Sequence, residues 1–489
     1  MRIGQTSFIV FASKLLGSVF GFLATLVFAR VVGAEILGIY VLAITVLGWL
    51  ALPGKFGISS AAKKRISEDR EPGQYLATTL VWMFGLGFIV SLAVIVSRSA
   101  LDSYILGSDE YLPITIIWVL ILLLFINYIY KIVLTVLRAE RKVHIAAILN
   151  TVKDVCRSVI QIGLVLSGFS LLGMLVGYAL GGIFVGIVGL YWVSVRPQRP
   201  ERRHFRSLFD YAKFSWLGSL RTKIFNDIDI LVLGLFVPSA LIGIYAVTWS
   251  LSKFLEIFSN AIASTMFPEI SHTSVAETKH ATATLVEDSL RYNGLVIIPG
   301  LVGGVILAEE ILRIYGPEFV EGETVLGLLI CAVLLYTYQK QFLNALNGVD
   351  RPDLAFRVNF VFAVLNVGLN IVLIWEYGIE GAALASLLSV SVALVLAYRY
   401  LDQLVEFRIP SGEIGRQVVA SLVMGPIVYL SLTLFQTTGL VQHAVILVAL
   451  LVPTGAVIYF TTLFGISSEF RATIDRNLPV TIPYFTNSR

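Results

Sequence analysis

Hydrophobic runs of about twenty residues follow one another through this chain almost without a gap, which leaves few folds open to it. None of the polar breaks between the runs is long enough for a soluble domain. With 57% hydrophobic and only 14% charged residues, the chain lies far from the composition of a soluble globular protein. Whatever it does must be done inside the spans or at their mouths.

Windows of about 19 residues place spans near 8–32, 36–58, 76–97, 112–138, 145–167, 170–194, 208–237, 240–265, 290–308, 323–346, 354–376, 379–402, 416–436 and 441–464. Continuous apolar runs without alternation favour helices over barrel strands, because a helix satisfies its own backbone groups in lipid. The expected fold is an all-α polytopic membrane protein of about fourteen transmembrane helices. Met1–Val10 carries one Arg and no small-residue cleavage site, so the first run reads as a retained span. Cys156 and Cys331 are far apart in apolar stretches and read as small buried side chains, leaving no disulfide framework or CxxC metal site.

Basic residues set the expected orientation. Lys63, Lys64, Arg65 and Arg70 follow span 2, Arg138, Arg141 and Lys142 follow span 4, and Arg196 to Arg206 follow span 6. Those loops share a side, while the opposite loops carry Asp102, Asp109, Glu110, Glu309, Glu310, Glu318, Glu321 and Glu323. Both termini should therefore be cytoplasmic, in a protein of the cell membrane.

An internal repeat is visible. VVGAEILGIY at 31–40 recurs as FVPSALIGIY at 236–245, pairing Gly38 with Gly243 and Tyr40 with Tyr245. LDSYILGSDEY resembles ILRIYGPEF, pairing Gly107 with Gly316, and RKVHIAAILN resembles RPDLAFRVN, pairing Arg141 with Arg351. Six spans used twice, an even number, give parallel repeats able to enclose a cavity. The expected organisation is a six-helix lobe at 1–200, a second at 201–410, and two appended helices with a cytoplasmic tail at 411–489. The stretch RPQRPERRHFR at 196–206 reads as a flexible cytoplasmic linker.

Ionisable side chains within spans normally face a bundle interior or a wet cavity. Span 4 puts Lys131, Thr135 and Arg138 on one helical face, span 5 Lys153, Arg157 and Gln161, span 8 Lys253, Glu256 and Asn260, and span 10 Lys340, Asn344 and Asn347. Arg30 and Lys55 lie in spans 1 and 2, Arg221, Lys223, Asn226, Asp227 and Asp229 in span 7, and Asn359, Asn366 and Asn370 form a stripe on span 11. Lys223 with Asp227 and Lys253 with Glu256 have the spacing of helical ion pairs. Lys14, Arg138, Lys153 and Arg157 are equally well read as snorkelling. The surplus of positive charge suits an anionic ligand, most naturally a phosphate or diphosphate. Asp227 and Asp229 are alternatively ion-coupling carboxylates. Gly17 and Gly21 form a GxxxG pair suited to close packing.

These features resemble the polysaccharide-exporter branch of the multidrug/oligosaccharidyl-lipid/polysaccharide exporter superfamily. The resemblance rests on ATLVFARVVGAEILGIY, LFVPSALIGIYAVTWSLSKFLEIFSNAIASTMFPEIS, YGPEF and LNGVDRPDLAFRVNFVFAVLNVGLNIVLIWEYGIEGAALAS, and spans essentially the whole chain. It implies two six-helix lobes around a central cationic cavity with alternating access. It also implies translocation of an undecaprenyl or dolichyl phosphate- or diphosphate-linked sugar for surface polysaccharide or glycoprotein assembly. In related peptidoglycan-precursor flippases, basic residues of spans 8 and 2 line the cavity; Lys253 and Lys55 stand at those places. On this reading Arg30, Lys55, Lys131, Lys253, Glu256, Lys340 and Asn344 bind the substrate. No cofactor, metal, nucleic acid or enzymatic reaction is expected, and the protein acts as a monomer among membrane lipids, with glycosyltransferases or an oligosaccharyltransferase of the same pathway as partners.

A drug/cation antiporter of the same superfamily is the first rival, disfavoured by the basic surplus. A membrane glycosyltransferase or polymerase would need a longer catalytic loop; the segment HTSVAETKHATATLVEDSL reads instead as an interfacial amphipathic helix. A glycan-assembly scaffold gives no reason for the intramembrane charges. There is no Walker motif, so ATP is not the direct energy source.

Overall fold

In the computed structural model, residues 3–101, 115–259 and 279–477 are described, apart from positions 56, 69, 258, 440 and 442. The side chains of 3–15, 100, 214–222, 279–281 and 476–477 are not described either. Lys14, Arg221, Gly107 and Asn260 thus fall outside the described residues or side chains. Every regular element among the described residues is helical.

Nine helical stretches among the described residues are long and apolar enough to cross a membrane, and the fold is that of a multi-pass membrane protein. Three of them, Leu16–Lys55, Val143–Trp192 and Pro352–Asp402, run for 40, 50 and 51 residues, twice what one crossing needs. Each breaks in two at a glycine with positive φ: Gly33 at 79°, Gly168 at 89° and Gly378 at 56°. An L side chain rarely adopts these conformations, so the glycines let the chain reverse between spans with no polar loop in lipid. The breaks coincide with the expected boundaries between spans 1 and 2, 5 and 6, and 11 and 12.

The helices are α1 (Ile3–Leu50, broken at Gly33), α2 (Leu52–Lys55), α3 (Ile58–Ser67), α4 (Pro72–Val96), α5 (Arg98–Leu101), α6 (Ile116–Ala139) and α7 (Val143–Leu164). They continue with α8 (Ser170–Trp192), α9 (Arg202–Phe236), α10 (Ser239–Phe254), α11 (Lys279–Ile306), α12 (Ala308–Arg313) and α13 (Glu323–Gly348). α14 (Pro352–Asp402, broken at Gly378), α15 (Ser411–Thr438), α16 (Ala444–Ile466) and α17 (Ser468–Asn477) complete the chain. With α9 and α10 in the places of spans 7 and 8, the total is about fourteen crossings. The segment expected to lie at the interface continues, from Lys279 onward, unbroken into span 9 within α11.

Packing divides the chain into two compact units, Met1–Val247 and Thr248–Arg489. The lobes at 1–200, 201–410 and 411–489 are proposed on the repeat and not on this division.

In the first unit the two glycines aligned by the repeat meet. A Cβ built on Gly38 would run into the Ser239 carbonyl, and one on Gly243 into the Ala34 carbonyl. The second half of α1 and α10 therefore cross backbone to backbone. Gly17 has the Asp154 side chain 3.7 Å from its would-be Cβ, but Gly21 faces open space, so the pair does not make the close crossing that its spacing suggests. Cys156 and Cys331 are free and half-buried, not fully enclosed.

The stretch read as a flexible linker is pinned. The Gln198 amide donates to Gly73 O at 3.0 Å, and Arg203 reaches Glu71 Oε1 at 2.6 Å. His204, fully buried at the start of α9, accepts the Glu201 amide on Nδ1 at 3.0 Å and meets Glu71 Oε2 with Nε2 at 3.1 Å. Pro and charge content suggests mobility, but Arg203 and His204 both hold Glu71 on the turn before α4.

The repeat is clearest at two turns. After α6, Glu140 N bonds Val136 O and Lys142 N bonds Leu137 O, with Arg141 at φ 61°; after α13, Val349 N bonds Ala345 O and Arg351 N bonds Leu346 O, with Asp350 at φ 59°. These are two copies of one helix-ending motif. They align Arg141 with Asp350, one residue short of its sequence pairing with Arg351.

Candidate functional site

The first unit gathers its charges around α6. Tyr128 is fully buried, its ring against the glycine faces of Gly54 and Gly87 and its hydroxyl donating to Ala51 O at 3.4 Å. That wedge fixes α2 beside α6, and the neighbouring Lys55 Nζ donates to Asn127 Oδ1 at 3.1 Å. Asn127 Nδ2 in turn donates to Tyr178 OH at 3.3 Å, and the Arg157 guanidinium lies 5.7 Å from the Tyr178 ring centre. Tyr130 is flanked by Lys131 at 5.4 Å and Lys153 at 4.9 Å. Each such cation over a ring gains about 0.5–2 kcal/mol, more when desolvated.

Two carboxylates answer these cations. Asp154 pairs with Lys153 at 3.0 Å and accepts from Asn150 at 3.4 Å, while Asp227 pairs with Lys223 one turn away. Lys131, Lys153 and Lys223 are near enough to Lys55 to repel it. Lys55, Lys131, Lys153, Arg157 and Lys223 thus share a cluster with Asp154 and Asp227, and Arg138 is near enough to Lys131 to repel it as well. Such an excess, held by aromatic faces and an amide oxygen in the interior, has the chemistry to take up an anion.

The second unit holds a triad. Glu256, nearly buried, accepts from Lys253 at 2.9 Å and from Lys340 at 3.1 Å, 84 residues further along the chain. Trp249 and Tyr336 lie beneath: Lys253 is 5.1 Å from the Trp249 centre and 5.7 Å from that of Tyr336, and Lys340 is 5.8 Å from the latter. Two lysines around one carboxylate leave a single positive charge.

Of the residues singled out from sequence, Lys55 and Lys131 thus belong to the first cluster and Lys253, Glu256 and Lys340 to the second. Asn344 is half-buried one turn beyond Lys340 on the same face of α13, and Arg30 is exposed just ahead of Gly33. Asp229 is buried and accepts from Tyr245 OH at 2.6 Å. Sequence reasoning left Lys153 and Arg157 as equally good snorkelling residues and gave Lys223 only an ion pair. Their shared helical face with Gln161 was the available signal for the first two; Gln161 is buried and donates to Tyr40 OH at 2.8 Å.

Residues 27–321, more than half of the chain, match the profile of a polysaccharide biosynthesis protein family. The chain belongs to that family. A relative from Haloferax volcanii, the probable low-salt glycan biosynthesis flippase Agl15, is 29% identical over 99% of this chain and 100% of its own. Among solved structures, the lipid II flippase MurJ in an inward closed conformation is similar at TM-score 0.80 and 15% identity, covering 95% of this chain and 100% of that one. An inward-facing multidrug resistance MATE family transporter of the MOP superfamily is similar at TM-score 0.61 and 14% identity, covering 79% and 95%. The structural likenesses show the fold of this polysaccharide biosynthesis protein family member.

Proposed function

We propose that this protein is a flippase that carries a polyprenyl phosphate- or diphosphate-linked sugar, on undecaprenol or dolichol, across the cell membrane by alternating access. The observation that carries the reading is the surplus of cations over carboxylates around Lys55, Lys131, Lys153 and Arg157. A phosphate crossing hydrocarbon unaided faces a desolvation cost of many kcal/mol. Fixed ammonium and guanidinium groups replace its hydration, while the isoprenoid tail stays in lipid. The name borne by the Haloferax volcanii relative supports the same reading.

On this reading Lys55 and Lys131 in one unit and Lys253 and Lys340 in the other contact the phosphates, Glu256 tempers the triad so that the headgroup is released, and Arg30 and Asn344 flank the path. Asp227 and Asp229 are the candidates for ion coupling. Both termini face the cytoplasm, and the protein works as a non-catalytic monomer beside glycosyltransferases or an oligosaccharyltransferase of its pathway.

The test is the leaflet distribution of lipid-linked oligosaccharide in cells lacking the protein. Accumulation on the cytoplasmic side with synthesis intact is expected. A normal distribution with altered drug tolerance would overturn the reading in favour of an antiporter.

A further inference from the structure

Behind the Lys253–Glu256–Lys340 triad lies a second, uncharged polar group. Asn293 of α11 is fully enclosed, as are Ser259 and Thr337, and Gln341 is nearly so. Ser259 Oγ donates to Asn293 Oδ1 at 2.5 Å, Asn293 Nδ2 donates to Thr337 Oγ1 at 3.0 Å, and Gln341 Nε2 reaches Ser259 Oγ at 3.3 Å and Asn293 Oδ1 at 3.5 Å. Thr337 Oγ1 donates its own hydrogen bond to Leu334 O at 2.8 Å. The Asn293 amide is therefore engaged at both its oxygen and its nitrogen.

The register of this network matters more than its strength. Ser259 lies three residues after Glu256, Thr337 three before Lys340, and Gln341 directly after Lys340. One amide on α11 thus fixes the segment that carries Glu256 against the helix that carries Lys340. Buried amide networks in a membrane bundle specify one arrangement of helices, because a slipped arrangement would strand a polar group in an apolar interior. Here the arrangement so specified is the one in which both lysines converge on one carboxylate.

We propose that Asn293 is a positioning residue for the triad: through Ser259 and Thr337 it holds Glu256 between Lys253 and Lys340, and so sets the affinity of that pair of ammonium groups for a diphosphate headgroup. This rests on the reading of the triad as a headgroup site. Without the clamp, the segment after α10 is free to shift and the two ammonium groups separate. Each then snorkels by itself and no longer presents a paired cation to one phosphate.

The experiment is calorimetric titration of the full-length protein in nanodiscs with geranylgeranyl diphosphate, comparing wild type, Asn293→Leu, Thr337→Val, Lys340→Gln and the Asn293→Leu/Lys340→Gln double variant, each with its melting temperature. The expected result is about tenfold weaker binding for Asn293→Leu, about threefold for Thr337→Val, and no further loss in the double variant over Lys340→Gln. Thr337→Val nearly preserves shape and carries the test if Asn293→Leu does not fold. Wild-type affinity in Asn293→Leu and Thr337→Val at a lowered melting temperature, or a fully additive loss in the double variant, overturns the positioning role and leaves the headgroup site standing. No binding by wild type, or unchanged binding by Lys340→Gln, overturns the headgroup reading and this proposal with it.

Discussion

Lys131 and Lys340 occupy the same place in the two copies of the repeat: the matching turns after α6 and α13 are 209 residues apart, and so are these lysines. One copy surrounds its lysine with further cations, the other with a carboxylate. The cost of losing the lysine should therefore differ. Lys131→Gln leaves Lys55, Lys153, Arg157 and Lys223 against Asp154 and Asp227 in its cluster, whereas Lys340→Gln leaves Lys253 and Glu256 to cancel. Transport by Lys340→Gln is expected to fall at least about tenfold and by Lys131→Gln only about threefold, measured as flipping of lipid-linked sugar in proteoliposomes. Equal losses would contradict the charge count.

Glu256→Gln should act in the opposite sense. Both lysines lose their charge partner while an amide oxygen remains to accept a hydrogen bond. Binding of geranylgeranyl diphosphate is expected to tighten by about tenfold, and turnover to slow because release becomes harder. Calorimetry and a flipping assay on the same preparation measure the two effects separately.

Ala at Gly38 or Gly243 should separate α1 from α10, because the obstacle is a carbonyl of the opposite helix and not a side chain that can swing away. Overpacking of this kind costs on the order of 1–3 kcal/mol. A lowered melting temperature in detergent is expected for either variant. Since both substitutions widen one crossing, the double variant should lose less than the sum.

Acid should loosen the pin at the start of α9. The hydrogen bond from His204 holds the Glu71 carboxyl below its ordinary value; desolvation opposes this and the Arg203 charge adds to it. A carboxyl depressed in the folded state contributes stability that is present above its unfolded value, near 4.5, and is lost as pH falls through the folded value. Glu71→Gln lacks that contribution, so its melting temperature should lie below wild type near neutrality and converge with it below about pH 4.5. Equal melting temperatures of the two proteins near neutrality would show that the carboxylate does not stabilise the pin.

Much of the fold was legible because lipid imposes a simple rule of length and polarity. The span boundaries at 376–379 and 167–170 fall on Gly378 and Gly168, where only the glycine backbone conformation interrupts otherwise continuous apolar runs. Ion pairs at helical spacing were also legible: Lys223 with Asp227 and Lys253 with Glu256 form as their spacings predict, the second although α10 ends at Phe254, before Glu256. What could not be read was convergence between helices. Nothing near Lys340 in sequence indicates Glu256, and nothing near Lys153 indicates Tyr130. The equivalence of Lys131 and Lys340 was within reach, since Gly107 and Gly316 carry the same shift of 209, but pairing Arg141 with Arg351 moved the register by one. The pinned 196–206 stretch reads as mobile in sequence because Pro and charge content describes a free chain, not the Glu71 turn beside it.

The contact between Gly38 and Gly243 is reciprocal down to the atom: each glycine opposes the carbonyl four residues before the other, Ser239 for one and Ala34 for the other. Contacts of that form are isologous, as in a two-fold dimer. Two identical chains would need only a single glycine to build both sides of such a contact. At this crossing one chain therefore makes with itself the contact that two identical chains would make, and neither glycine can be replaced without opening both halves of it.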